Sequence, residues 1–270
     1  MTFQQWLDTC RLPRLEARLL VEAVCRITHV RLISRSGDEL PQPQRAVLDM
    51  LAARRRRGEP MAYLLGSREF YGRSFRVSPA VLIPRPETEL LVEAILARLP
   101  QGGRLWDLGC GSGIIGLTVV LERPDAAVRA SDISPDALAV AQANAAALGA
   151  SIEWAQGSWF AAQPAAEGLF DIIASNPPYI EAGDEHLQQG DLRFEPAAAL
   201  TDFADGLSHI RTLAAQAQGY LKPGGWLLLE HGWNQGEAVR GMLAEHGWQQ
   251  VETLRDLAGL DRVSIGRKAV

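Results

Sequence analysis

Residues 104–116 read RLWDLGCGSGIIG, an apolar run that ends in a glycine-rich loop and passes at once into a second apolar run. The pattern predicts a strand, RLWDLG, followed by a helix over 114–122. Glycines permit a tight turn and let a ligand touch the backbone. A helix that opens after Gly113 points its first N–H groups at that ligand. Outward from this stretch the alternation continues. AVRASD (127–132) and SIEWAQ (151–156) read as strands. Between them runs a helix with Ser134 as its cap, Pro135 in its first turn and Gly149 as its stop. FDIIAS (170–175) is a fourth strand, 205–220 a helix, GWLLLEHG (225–232) a strand and 235–246 a helix. WQQVETLRD and RVSIGRK close the chain as two strands with no helix between them, which predicts an antiparallel edge hairpin. The expected fold class is α/β, a Rossmann-like, mostly parallel sheet with helices on both faces.

The loop satisfies GxGxxG through Gly111, Gly113 and Gly116, and Asp132 ends the next strand, where a ribose-binding acid belongs. A nicotinamide-dependent oxidoreductase is one reading of those residues. Asp107, two residues before the first glycine, favours another. A carboxylate there repels a pyrophosphate but accepts hydrogen bonds from an ammonium or amide. S-adenosylmethionine has a cationic amino-acid tail and no phosphate, and Asp132 would still hold its ribose hydroxyls.

The fourth strand ends in SNPPYI (175–180). In a doubly wound sheet it lies beside the first strand, so this corner faces the glycine loop, where ligands bind. Asn176 precedes a proline and is held extended. Pro177 and Pro178 fix φ and lack N–H groups. The corner is stiff and offers acceptors, the Asn176 side-chain oxygen and the Pro177 carbonyl, while Tyr179 supplies a flat face. Together they suit an –NH2 group on a planar π system. Such a nitrogen is a poor nucleophile, since losing amide conjugation costs roughly 18–20 kcal/mol. Two hydrogen bonds of about 1–3 kcal/mol each do not cover that. Alignment for in-line attack contributes roughly 7–11 kcal/mol more, so geometry matters more here than a general base.

Composition narrows the class. Hydrophobic residues make up 47% of the 270, enough for a core. Net charge is −5, yet residues 1–80 carry 14 arginines, no lysine and eight acids, which leaves −11 for the rest. That asymmetry suggests two modules. Three cysteines, Cys10, Cys25 and Cys110, with no CxxC pair fit reduced thiols in a cytosol. Five histidines form no HExxH and no Cys/His cluster, so no metal is expected. No signal peptide or membrane span is read. Residues 2–57 look helical, with Leu15, Leu19 and Val24 on one stripe and Val47, Leu48 and Leu51 on another. Arg54 to Arg57 are either last-turn cations answering the helix dipole or a partner-facing patch. REFYGRSFRVSPAVLI (68–83) suggests a short hairpin that links the modules.

Read together, these stretches resemble the HemK/PrmC family of release factor glutamine methyltransferases over almost the whole chain. The resemblance rests on EPMAYLLGSREFYG (59–72), VLIPRPETELLVE (81–93), DLGCGSGIIG (107–116), SDISPDALAVAQAN (131–144), FDIIASNPPYI (170–180), FEPAAAL (194–200), LLLEHGWNQ (227–235) and DRV (261–263). NPPY alone is shared with DNA adenine-amine methyltransferases. With IPRPETE and the helical front module it is far more specific. The resemblance implies a class I methyltransferase fold that methylates the glutamine side-chain amide in the Gly-Gly-Gln motif of bacterial peptide-chain release factors. It implies that Asp107, Leu108, Gly109, Cys110, Gly111, Asp132 and Asn176 contact S-adenosylmethionine, with S-adenosylhomocysteine as product. Trp159 would flank the adenine. Asn176, Pro177, Pro178 and Tyr179 would hold the glutamine, with Asn176, Pro177 and Tyr179 in the catalytic role. Arg85 and Glu87 would shape the substrate mouth or cap the helix starting near Pro86. Cys110 departs from the family's usual hydroxyl residue, which backbone amides in the loop should tolerate, and thiol-reagent sensitivity would follow.

The expected domains are a helical substrate-recognition domain at 1–66, a hairpin linker at 67–83 and the methyltransferase domain at 84–270. The expected partner is a release factor, with no DNA and no membrane, for a monomeric cytoplasmic enzyme. A nucleic-acid amine methyltransferase is the runner-up, disfavoured because the catalytic half is acidic and has no base-reading module. A small-amine methyltransferase leaves the front module without a task. A non-catalytic cofactor-binding adaptor has no need of the acceptor corner.

Overall fold

The computed structural model describes residues 1–162 and 169–270, and the chain divides into two compact units, Met1–Ser67 and Arg68–Val270. The first unit contains α1 (Phe3–Thr9), α2 (Arg14–Cys25), α3 (His29–Ser34), α4 (Gln42–Arg56) and α5 (Met61–Leu65). Local chemistry sets the breaks. Thr2 and Gln5 form a capping box on α1. Arg26 ends α2 in the left-handed region at φ 53°, and Pro41 with Pro43 opens α4.

The predicted stripes are rotated from the observed ones. On α2 the chain buries Ala17, Leu20 and Val21 and leaves Leu15 exposed. On α4 it buries Leu48, Leu51 and Ala52 and exposes Val47. Both observed sets keep the i, i+3, i+4 spacing. The alanines let helices approach closely, so small residues sit where a reading by bulk places large ones. The arginine run is tied down inside its own unit. Arg54 pairs with Glu59, Arg55 takes both oxygens of Glu16 at 2.8 Å, and Arg56 donates to the Cys10 carbonyl at 2.7 Å. Those three cations hold the unit together, so the partner-facing reading of the run loses most of its basis.

At the start of the second unit, β1 (Ser67–Phe70, its first residue the last of the first unit) and β2 (Arg73–Arg76) turn through Tyr71 and Gly72, both at positive φ. Phe70 and Phe75 are buried in the same core as α6 (Thr88–Arg98) and α7 (Ile114–Glu122). The main sheet holds β3 (Arg104–Leu108), β4 (Ala127–Asp132), β5 (Glu153–Gln156), β6 (Phe170–Ser175), β7 (Leu221–Glu230), β8 (Gln249–Arg255) and β9 (Asp261–Arg267). Its order is β5-β4-β3-β6-β7-β9-β8, parallel from β5 through β7, with β9 antiparallel to both β7 and β8.

Alternate residues of the central strands feed two different cores. Leu105, Ile172 and Leu228 face α6 and α7. Trp106, Ile173 and Leu227 face α9 (Ser208–Gln216) and α10 (Gly236–Glu245). Burial on both faces explains why these strands read as continuous apolar runs. The helix α8 (Pro135–Leu148) begins at Ser134, whose Oγ accepts from Ala137 N–H, and stops at Gly149 in the left-handed region. The helix expected over 205–220 starts only at Ser208. Asp202 accepts from Ala204, Gly206 and Ser208 N–H groups and from the Ser208 hydroxyl, which winds 202–208 into a turn.

The chain steps outward from β3 through β4 to β5, then returns to place β6 on the other side of β3. That reversal is the switch point of the sheet, and both motifs leave the sheet there. Leu108 and Ser175 are register partners, and the Ser175 hydroxyl donates to the Leu108 carbonyl at 2.7 Å.

Candidate active site

A cavity of about 410 Å³ opens at that switch point. One side is the loop after β3, with Gly109, Cys110 and Gly111, and Asp132 from the end of β4. Asn176 and Pro178 come from the corner after β6. The remaining walls are the 80–84 segment, Trp159, and the stretch from Pro196 to Phe203 with His209. The sequence-predicted residues Gly109, Cys110, Gly111, Asp132, Trp159, Asn176 and Pro178 therefore share one cavity. Asp107, Leu108, Pro177, Tyr179 and Arg85 are not on its wall.

The loop adopts positive φ at Gly109, Gly111 and Gly113, at 71°, 54° and 82°, a path that side chains with a Cβ resist. Four of its amides are engaged within the protein, while those of Ser112, Ile114 and Ile115, residues that line the cavity, have no partner among the described residues. Gly109 and Cys110 N–H donate to the Ser131 carbonyl, Gly111 N–H to Asp132 Oδ2, and Gly113 N–H to the Cys110 carbonyl. Asn144 of α8 binds the Ser112 carbonyl at 2.9 Å and so braces the loop from beneath. The loop thus meets the cavity with open amides at Ser112 and the start of α7, beside the Asp132 carboxylate as acceptor.

Asp107 also differs from its expected role as a direct ligand contact. It is fully buried, and Oδ2 accepts from Gly116 N–H in the first turn of α7 at 2.9 Å. Burial pushes its carboxyl up to about 7, opposed by the Gly116 bond and reinforced by Asp132. An acid already stands at the helix end where a dinucleotide would set its pyrophosphate. That acid disfavours a pyrophosphate at the start of α7 and counts against the oxidoreductase reading.

Cys110 lines the cavity but is buried, and burial with Asp107 and Asp132 pushes its thiol well above the ordinary range. Few thiolates form there, so the expected reagent sensitivity does not follow. Trp159 stands at φ 46°, its ring 5.1 Å from that of His209, with its edge over Gly109. It lines the cavity as a half-exposed face and is not a closed core side chain.

Two supports hold the walls. Arg85 pairs with the buried Glu195 at 2.5 Å, and Glu195 also accepts from Ile83 N–H at 2.9 Å. This clamp ties the 80–84 wall to the wall beginning at Pro196. Glu87 sits at the N-cap of α6 but makes no side-chain cap bond. Behind the corner, Gln235 donates to the Tyr179 carbonyl at 2.9 Å and accepts from Gly232 N–H. Gly206 at φ 75° passes so close that a Cβ would lie 2.5 Å from the Tyr179 carbonyl oxygen. Burial pushes the Tyr179 phenol up, with Glu230 adding to it, and the ring packs at the edge of the α9/α10 core.

Asn176 Nδ2 donates to the Thr88 hydroxyl at 3.2 Å. The amide nitrogen is thereby turned into the protein, and the oxygen is the group left for the cavity. Comparison with known proteins identifies the family. Residues 4–66 match the PrmC N-terminal domain and residues 86–200 the methyltransferase small domain. A release factor glutamine methyltransferase of Neisseria gonorrhoeae is 62% identical over 267 residues, covering 99% of this chain and 98% of that one. This chain belongs to the release factor glutamine methyltransferase family. A second member, from Bordetella pertussis, is 51% identical and covers 94% of this chain and 95% of its own. A methyltransferase structure from Pyrococcus furiosus shares the fold, with TM-score 0.57 and 19% identity over 81% of this chain and 98% of that one.

As a family member the chain is an enzyme, a methyltransferase. Sequence reasoning missed Thr88, Glu195, Thr201, Asp202, Phe203, His209 and Glu230 around its site. Glu230 alone carried a local signal, an acid at the end of an apolar core strand.

Proposed function

We propose that this enzyme transfers a methyl group from S-adenosylmethionine to the side-chain amide nitrogen of the glutamine in the Gly-Gly-Gln motif of peptide-chain release factors. The observation that carries the reading is the orientation of Asn176, with nitrogen bonded back to Thr88 and oxygen left for a substrate N–H. The named activity of relatives up to 62% identical supports the substrate.

The residues present fit the cofactor. Gly109, Cys110, Gly111 and Asp132 form an acceptor wall for a cationic tail and a ribose diol, and Trp159 offers an aromatic face for a base. S-adenosylmethionine, when bound, supplies an electrophilic methyl on a positively charged sulfur. The chain's own part is to bind and aim. Asn176 Oδ1 accepts one hydrogen of the carboxamide, and Pro178 on the wall beside it limits how the amide plane can lie. That contact turns the nitrogen toward the cofactor. The Arg85–Glu195 clamp and the Gln235 bridge keep the walls in register while the long substrate enters, which is where alignment yields rate. The 1–66 unit is the region we assign to recognition of the release factor.

Incubating the enzyme with isotopically labelled S-adenosylmethionine, release factor, an oligodeoxynucleotide and free amines, followed by mass spectrometry, tests this. Label on the Gly-Gly-Gln peptide is the expected result. Label on the oligonucleotide adenine, or on free amines alone, overturns it.

A further inference from the structure

Glu230 ends β7 with its side chain wholly buried, and neither carboxyl oxygen makes a well-formed hydrogen bond among the described residues. An orphaned buried carboxyl is costly, and a fold retains one where it has a use. Its neighbours suggest that use. Glu230 shares a sheet face with Leu228, the face covered by α6. Thr88, the first residue of α6, is fully buried against it. Thr88 and Asn176 both lie close enough to draw its carboxyl downward, although burial dominates and leaves it at about 7.

Asn176 has two amide hydrogens. One meets the Thr88 oxygen, which leaves the Thr88 hydrogen free to point at Glu230. The other is available to Glu230, whose carboxyl Asn176 draws downward. We infer that Glu230 is a positioning residue for methyl transfer: its carboxylate, directly and through the Thr88 hydroxyl, holds the Asn176 nitrogen inward and commits Asn176 Oδ1 to the substrate nitrogen. This rests on the reading of Asn176 as acceptor of the substrate N–H.

The alternative orientation shows why such a device is needed. An asparagine amide has nearly the same shape when flipped, and flipped it would present N–H donors to a substrate that is itself an N–H donor. A negative charge behind the nitrogen disfavours the flip and polarises the amide toward its oxygen.

Other titratable groups surround Glu230. Arg262 on β9 favours the ionised form and Glu87 at the start of α6 opposes it. The Tyr179 phenol is pushed up and stays neutral near pH 7. The His231 ring faces Ser264 and the Gly232 carbonyl and is pushed down by burial, so it is neutral there too.

The test compares full-length wild type with Glu230→Gln and Glu230→Asp by kcat, KM, cofactor affinity, pH profile and the NMR signals of the Asn176 side-chain amide. In wild type kcat should rise as pH passes through about 7, and the Asn176 amide signals should shift over the same range. Glu230→Gln should lower kcat up to about 100-fold with cofactor affinity unchanged, and should abolish both pH responses. Glu230→Asp should keep the charge and the pH responses at reduced kcat, and it decides the matter if the glutamine variant does not fold. Wild-type kcat in Glu230→Gln, or Asn176 signals in wild type that do not move with pH, overturns the inference. Failure of wild type to methylate release factor would instead sink the substrate reading, and the NMR result would still decide the role of Glu230.

Discussion

The glycine loop after β3 and the acceptor corner after β6 face each other across one cavity, and each is backed by a buried acid pushed to about 7. Asp107, behind the loop, accepts from Gly116 N–H and ties the loop to α7. Glu230, behind the corner, has no full partner for either oxygen. Similar titration therefore conceals different work. Asp107 closes a structural bond that shapes the loop wall. Glu230 lies beside Asn176, the residue proposed to meet the substrate. A perturbed pKa marks a candidate, and the bonding around it separates the roles.

Stability against pH sharpens that comparison most. A carboxyl whose folded pKa lies above its unfolded value contributes stability at low pH and loses it as pH rises to the folded value. For Asp107 the window runs from 3.8 to about 7, a loss on the order of 4 kcal/mol. Asp107→Asn should remove that share of the slope in urea unfolding followed from pH 4 to 8. An unchanged slope would show that the acid titrates normally. Activity should separate the two sides next. Asn176→Ala should reduce kcat about 100- to 1,000-fold, as loss of a charge-aligned contact does, with cofactor affinity, measured by calorimetry, only weakened. Equal activity would remove the acceptor role. A smaller effect is expected at Arg85→Ala, which strands the buried Glu195. The urea midpoint should fall by about 1–3 kcal/mol of stability, and KM should rise as the walls loosen. Gln235→Ala should cost least, about 1 kcal/mol, and should act on the corner alone, raising substrate KM with cofactor binding intact. If it weakened cofactor binding instead, the two sides would not be separable.

Much of this site was legible in residue order. NPPY announced a stiff corner because proline has one φ, and the glycines announced a turn because other residues resist positive φ. Two kinds of information were out of reach. The apolar stripes on α2 and α4 were misphased because Leu15 and Val47 are as hydrophobic as their buried neighbours, and only the packing partner selects the face. Asp107 reads as a ligand contact because a sequence shows an acid near a loop without showing which way it points. Glu230 lies 54 positions beyond Asn176 in the sequence, and nothing local links them.

The sequence by itself determined the alternation of strands and helices, the doubly wound sheet and the two loops that meet at its switch point. These follow from periodicity and backbone constraint, which are local. Only the tertiary structure decided that the Gly109, Cys110, Gly111 and Gly113 amides are occupied, that Arg85 clamps Glu195, and that Asn176 turns its oxygen to the cavity with Thr88 and Glu230 behind it. Those choices depend on which distant polar groups are buried together, because a buried donor or acceptor must find its partner wherever the fold has placed it.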